Sequence, residues 1–214
     1  LLALIFTAGI LITGARAARA QEGEPRWQVG GHYTGINFGK VSPVNNPDEV
    51  ESLPPAHGFG GRVGRHLNPN VAVEAEVNYF PHDGFADGGR KVQGLFGVKV
   101  GKRFENAGVY AKARPGFLRL SRGDFRPRPG VICVAPNPAC YESEPTTSFA
   151  FDLGGVVELY PSRATFVRFD GGDTMVSFGR RLAPARTNNG LFVINLEGET
   201  THNFQGGVGF GFRF

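Results

Sequence analysis

The sequence predicts an all-β fold, an eight-stranded antiparallel transmembrane up-and-down β-barrel. Three observations predict it: a final segment with one aromatic face, a set of eight alternating segments, and connections that alternate between short and long. In the segment 204–214, Phe204, Gly206, Val208, Phe210, Phe212 and Phe214 share one parity, and Gln205, Gly207, Gly209, Gly211 and Arg213 share the other. Successive side chains of a strand point to opposite faces, so one face is apolar and the other small or charged. A closed barrel in lipid needs that division, apolar outside and polar inside, with no free edge. A segment of this length, tilted by about 40°, rises about 27 Å, close to the ~25 Å apolar band of an outer-membrane barrel.

Residues 1–14 form an uncharged apolar run, followed by Ala15-Arg-Ala-Ala-Arg-Ala20 and then Gln21. The run is short for a membrane-spanning helix and suits the apolar region of a signal peptide, with small residues flanking a cut before Gln21. The expected organisation is a signal peptide over 1–20 and one barrel domain over 21–214. No later stretch approaches the length of an apolar helical span, and mean hydropathy is −0.17. Gly 32 against Met 1 fits strands and turns better than helices. Without Arg16 and Arg19 the formal charge falls from +4 to +2. No Lys/Arg cluster interleaved with aromatics is present, which excludes nucleic acid as the expected partner.

Alternation places strands at 27–38, 57–67, 71–80, 91–104, 108–120, 148–160, 164 to about 178, and 203–214. The third is the cleanest, with Val71, Val73, Ala75, Val77 and Tyr79 opposing Ala72, Glu74, Glu76 and Asn78. In the fourth, Val92, Phe96, Val98 and Val100 oppose Gln93, Gly97, Lys99 and Gly101; in the fifth, Val109, Ala111, Ala113 and Phe117 oppose Tyr110, Lys112 and Arg114. The sixth sets Phe149, Phe151, Leu153, Val157 and Leu159 against Asp152, Gly154 and Glu158. Gly171-Gly172 interrupts the seventh and predicts a bulge.

The connections 68–70, 105–107 and 161–163 are short, whereas 39–56, 81–90, 121–147 and 179–202 are long. Short turns at one end and long loops at the other are the outer-membrane pattern, with the turns in the periplasm. An even number of crossings returns both termini there and puts the long loops outside the cell. On this topology Trp27, Phe104 and Tyr160 are expected in the periplasmic aromatic girdle, and Tyr79 and Phe80 in the outer one.

These features together resemble the small outer-membrane β-barrel proteins, the group containing the OmpA transmembrane domain and the OmpX-like barrels. The resemblance covers residues 21–214 and rests on the leader, the eight strands, the sorted connections and Phe214 with Val208, Phe210 and Phe212 at alternate positions. The segment from Gly89 to Phe104 looks like a barrel strand of that group. It implies residence in the outer membrane of a Gram-negative bacterium, surrounded by outer-membrane lipid. It also implies that Val208, Phe210, Phe212 and Phe214 serve as an assembly signal for the barrel-assembly machinery. The group shares architecture more than activity.

An eight-stranded barrel is just wide enough for side chains to fill. The polar parity supplies Glu74, Glu76, Lys99, Lys112, Arg114, Asp152, Glu158, Arg168, Asp170 and Arg213, five acidic and five basic. Paired, they make a satisfied plug; unpaired, they would be costly. Lys112 and Arg114 are the expected partners of the glutamates, and Arg213 needs a carboxylate of its own. Catalytic residues are not expected. Of His32, His57, His66, His82 and His202, none is followed two residues later by Ser, the arrangement of the lipid A deacylase type. His32 and His66 fall on the inward parity. His82 with Asp83 and Asp87 matches no strong metal motif, so neither a metal nor another cofactor is expected.

Cys133 and Cys140 are the only cysteines and stand in the longest predicted outer loop. In an exported protein they predict a disulfide, which would stiffen a loop able to carry an extracellular ligand. The expected role is structural or surface-interacting. The alternatives are a narrow passive channel, a lipid-modifying enzyme at the rim, or a soluble lipocalin-like binder with the two faces inverted.

Overall fold

The structure is a computed structural model that describes residues 25–37, 40–41, 51–52, 55–81, 89–130, 140–187, 190–196 and 198–214. Twelve strands follow in chain order: β1 (Trp27–Asn37), β2 (Lys40–Val41), β3 (Glu51–Ser52), β4 (Ala56–Asn68), β5 (Val71–Phe80), β6 (Lys91–Arg103), β7 (Ala107–Pro127), β8 (Tyr141–Leu159), β9 (Thr165–Phe178), β10 (Arg181–Thr187), β11 (Gly190–Leu196) and β12 (Glu199–Arg213). Eight of them close a barrel in the order β1-β12-β9-β8-β7-β6-β5-β4, and β1 pairs with β4 to complete the ring. Every barrel pair is antiparallel. The expected signal peptide lies outside the described residues.

Alternation dictates which face meets what. Along β5, Ala72, Glu74, Glu76, Asn78 and Phe80 are buried inside, while Val77 is exposed outside. Phe96, Phe117, Phe149, Phe169, Phe204, Phe210 and Phe212 are likewise exposed on the outer surface. An apolar exterior around a polar interior is the reverse of a lipocalin-like binder and is what lipid contact requires. Phe80 and Tyr160 were expected in the girdles, but both are buried in the lumen. Parity decides this: Phe80 follows Asn78 and Tyr160 follows Glu158.

Two ends differ. At the turn end, β4–β5, β6–β7 and β8–β9 join by short connections, and Trp27 meets Phe214. The Trp27 N–H donates to the Phe214 carbonyl at 2.8 Å and the Phe214 N–H to the Trp27 carbonyl at 3.0 Å, which seals the ladder. At the hairpin end, β7 and β8 continue past the predicted limits of 120 and 148 as a paired ladder reaching Pro127↔Tyr141, across a register shift between Leu120 and Asp124. Residues 181–187 and 190–196, expected as loop, form the paired strands β10 and β11, with β10 alongside β7. Beyond the lipid band both faces of a ladder meet water, so pairing continues where apolar alternation stops.

The predicted bulge at Gly171-Gly172 is absent. Gly171 pairs with Gly155 and Gly206, and Gly172 with Gly154 and Gln205, in an unbroken register. Gly172 serves close approach instead: a Cβ on it would stand 2.7 Å from the Gly154 Cα, whereas Gly171 has open space around it.

Candidate functional site

The polar interior is layered along the barrel. At the waist, β5 contributes Glu74 and Glu76, β7 Lys112 and Arg114, β8 Asp152 and Glu158, and β9 Arg168 and Asp170. β6 adds Lys99, and β4 adds Arg62, which the sequence reading missed. Arg62 shares the inward parity of His66, four residues on, and that spacing was the available signal. Strand β4 hides it because Gly58, Gly60, Gly61 and Gly64 blur the alternation.

Arg114 donates through Nε to Asp152 at 2.8 Å and through Nη1 to Glu76 at 2.7 Å and Glu74 at 3.1 Å. Arg168 grips Glu74 through Nη1 and Nη2 at 2.6 and 2.9 Å, and grips Asp170 through Nε and Nη2 at 2.8 and 2.9 Å. Such two-pronged contacts suit the planar guanidinium fork. Arg62 bridges Asp170 at 2.7 Å and Glu76 at 3.2 Å. Lys112 meets Asp152 at 3.0 Å and Asp170 at 3.3 Å, so its partners are aspartates and not the expected glutamates. Lys99 pairs with Glu158, which also accepts from Gln28 and from the Tyr160 hydroxyl. Each of these five carboxylates touches at least two cations.

Arg213 stands apart. Its Nη2 donates to the Ser162 carbonyl at 2.9 Å, and its guanidinium lies 3.9 Å from the centre of the Tyr160 ring. No carboxylate pairs with it among the described residues, contrary to expectation. Sequence counting balanced five acids with Arg213; in the molecule Arg62 takes that place at the waist.

Toward the hairpin end the layers turn neutral and then apolar. His32 Nε2 meets the Asn78 Oδ1 at 2.5 Å, and Asn78 Nδ2 donates to Glu76 and Gln93, both at 2.8 Å. Gln93 and Gln205 bond reciprocally across the lumen, each at 3.0 Å. Above them lie two apolar clusters, Leu118, Ala150, Val176 and Phe178 on one side and Ile36, Ala56 and Phe80 on the other. Between His32, Arg62, Glu76 and Gln205 is a void of 10 Å³, room for about one water.

Outside the barrel, Val208, Phe210, Phe212 and Phe214 are all exposed on one face of the closing strand. His57 Nδ1 accepts or donates with the Tyr33 hydroxyl at 2.8 Å, and His202 Nδ1 lies 2.6 Å from Asp173. His66 is buried in the lumen beside Tyr110. Cys140 directly precedes β8, whereas Cys133 and the His82, Asp83 and Asp87 group lie outside the described residues. No metal-binding group of three or more ligands occurs among the described residues.

An apolar exterior, a sealed ladder and a lumen occupied by its own ion pairs define a transmembrane β-barrel. Residues 5–214 match the family described as the outer membrane protein beta-barrel domain. The chain belongs to that family, and its place is the outer membrane. Among solved structures it is similar to Neisserial surface protein A, with a TM-score of 0.50 and 12% identity over 88% of this chain and 97% of that one. It is also similar to Ail, the attachment invasion locus protein of Yersinia pestis, with a TM-score of 0.43 and 14% identity over 91% and 100% of the two chains. The N-terminal β-barrel domain of Pseudomonas aeruginosa OprF gives 0.41 and 13% over 87% and 97%. At these identities the likeness shows the fold. No curated protein sequence matches.

Proposed function

We propose that this protein is a non-catalytic structural or surface-interaction component of the outer membrane, acting through its hairpin end. The filled lumen carries the reading. Ion pairs span the waist, and two apolar clusters line the hairpin end above them. A solute path through the described lumen would have to break charge-assisted bonds and then cross that apolar layer, a poor arrangement for a passive channel. The extended β7–β8 ladder, with β10 alongside, gives the hairpin end a rigid wall on which loops are presented. Among the described residues no serine or threonine hydroxyl bonds a histidine, which speaks against the rim-enzyme alternative.

On this reading the hairpin end faces outside and both chain ends face the periplasm. Residues 1–20 are removed as a signal peptide, residues 21–214 form the mature domain, and Cys133 bonds Cys140. The exposed Val208, Phe210, Phe212 and Phe214 face is the surface offered to the barrel-assembly machinery. An epitope inserted in the β7–β8 connection should be labelled on intact cells, and purified barrel should leave a planar bilayer without stepwise conductance. Steady single-channel openings would replace the surface role by the channel reading.

A further inference from the structure

Cationic side chains stand on the exterior at both rims of the apolar band. At the turn end, Arg65 lies over the Trp27 ring at 5.3 Å and Lys102 over the Phe104 ring at 5.5 Å. At the hairpin end, Arg90 and Arg119 are both exposed, and neither has a carboxylate or an aromatic ring as partner among the described residues. They are neighbours. Arg119 pairs across the ladder with Val92, and Arg90 sits one step beyond the last β6–β7 pair, Lys91↔Leu120. Two hydrogen bonds hold Arg90 there: its N–H donates to the Ser121 Oγ at 2.7 Å, and the Ser121 N–H donates to the Arg90 carbonyl at 2.8 Å. The two arginines are therefore diagonal neighbours on the outward face, about 7–8 Å apart across the ladder.

Directly below them the surface is apolar. Phe117 pairs with Phe149, both rings are exposed, and Thr147 stands opposite Arg119. A Cβ on Gly94 would lie 2.6 Å from the Phe117 ring, so that ring packs over the Gly94 backbone. Further out, Arg126 is neutralised by Glu144 at 2.9 Å. Across the barrel the outward Asp173 is matched by His202. Among the described residues of this rim, Arg90 and Arg119 are thus two adjacent cations without an acidic or aromatic partner, directly beside an apolar surface.

We propose that Arg90 and Arg119 form a binding site for the phosphate of a membrane lipid, whose acyl chains lie along Val92, Phe117 and Phe149. Two adjacent guanidiniums supply donors in the fork geometry that phosphate oxygens accept, and the aromatic surface below fixes the height of the headgroup. The site depends on membrane insertion alone and holds for either orientation of the barrel.

The test reconstitutes folded wild type, R90Q, R119Q, R90Q/R119Q and R126Q in phosphatidylcholine nanodiscs doped with phosphatidic acid. Lipids retained by the ejected protein are counted by native mass spectrometry. Wild type and R126Q should prefer phosphatidic acid; each single variant should lose about fivefold of that preference, and the double variant about 25-fold. R90K/R119K, which keeps both charges, should retain most of it. Boiling-dependent gel mobility should be unchanged throughout, because both side chains are external. Equal preference in wild type and R90Q/R119Q overturns the proposal, as does a lysine variant that behaves like the glutamine one. Displacement of the retained lipid by inorganic phosphate alone would overturn the lipid assignment.

Discussion

At the waist of the barrel Arg114 faces three carboxylates, whereas nearer the turn end Arg213 faces none among the described residues, although both guanidiniums are buried. The waist tolerates charge by multiplicity: no single cation is the sole partner of any of the five acids. The turn end tolerates it by substitution, setting a backbone carbonyl and the face of Tyr160 where a carboxylate would stand. The lesson is that burial does not fix what a charged residue contributes. The number of opposite charges stranded by its removal does.

Removing Arg114 should therefore have the largest effect. Arg114→Met takes one of its two cations from each of Glu74, Glu76 and Asp152 at once, and an expected loss of about 3–5 kcal/mol is the scale of breaking a buried pair on one side. Urea unfolding in lipid vesicles, read from the boiling-sensitive band, measures it. Arg62→Met comes next at about 1.5–3 kcal/mol, because Asp170 keeps Arg168 and Lys112 and Glu76 keeps Arg114. Should Arg62→Met exceed Arg114→Met in the same titration, the multiplicity account of the waist is wrong.

Arg213→Met is expected to cost at most about 2 kcal/mol, the scale of a desolvated cation–ring contact. A loss equal to that of Arg114→Met would erase the distinction between the two regions. The smallest effect belongs to the neutral layer. Gln93→Leu with Gln205→Leu removes both sides of a reciprocal amide pair, while Asn78 keeps Glu76, and should cost about 1 kcal/mol. A double-mutant cycle sharpens this by giving the coupling between the two amides directly.

Much of this interior was legible from parity alone. The bounds of strand β5 are legible and so are its faces from Val71 to Tyr79, because the segment alternates without exception between lipid and lumen. Two kinds of information were not legible. Pairing depends on barrel closure and register, so Lys112 could be placed inside without showing that it would meet Asp152 and Asp170. The outer reaches of β7 and β8 carry Ser121-Arg122-Gly123-Asp124 and Tyr141-Glu142-Ser143-Glu144, where no lipid enforces an apolar face and alternation has no cause. Phe80 and Tyr160 were misplaced by residue type when parity already put them inside. Gly171-Gly172 suggests a local irregularity in sequence, but the reason for Gly172 lies on the neighbouring strand at Gly154.

The sealed ladder between β1 and β12 has a consequence in time. The Thr34 hydroxyl bonds the Gly206 carbonyl across 172 residues of chain. Ends so far apart must find each other last, at a high cost in loop closure and a slow rate. Until β12 arrives, the sheet is open, with two unpaired edges and a lumen whose ion pairs across the barrel, such as Arg168 with Glu74, are not enclosed. Neither defect heals gradually, since both vanish in the same closing step. Formation of this barrel is thus expected to be all-or-none, with the first and last strands forming its seam.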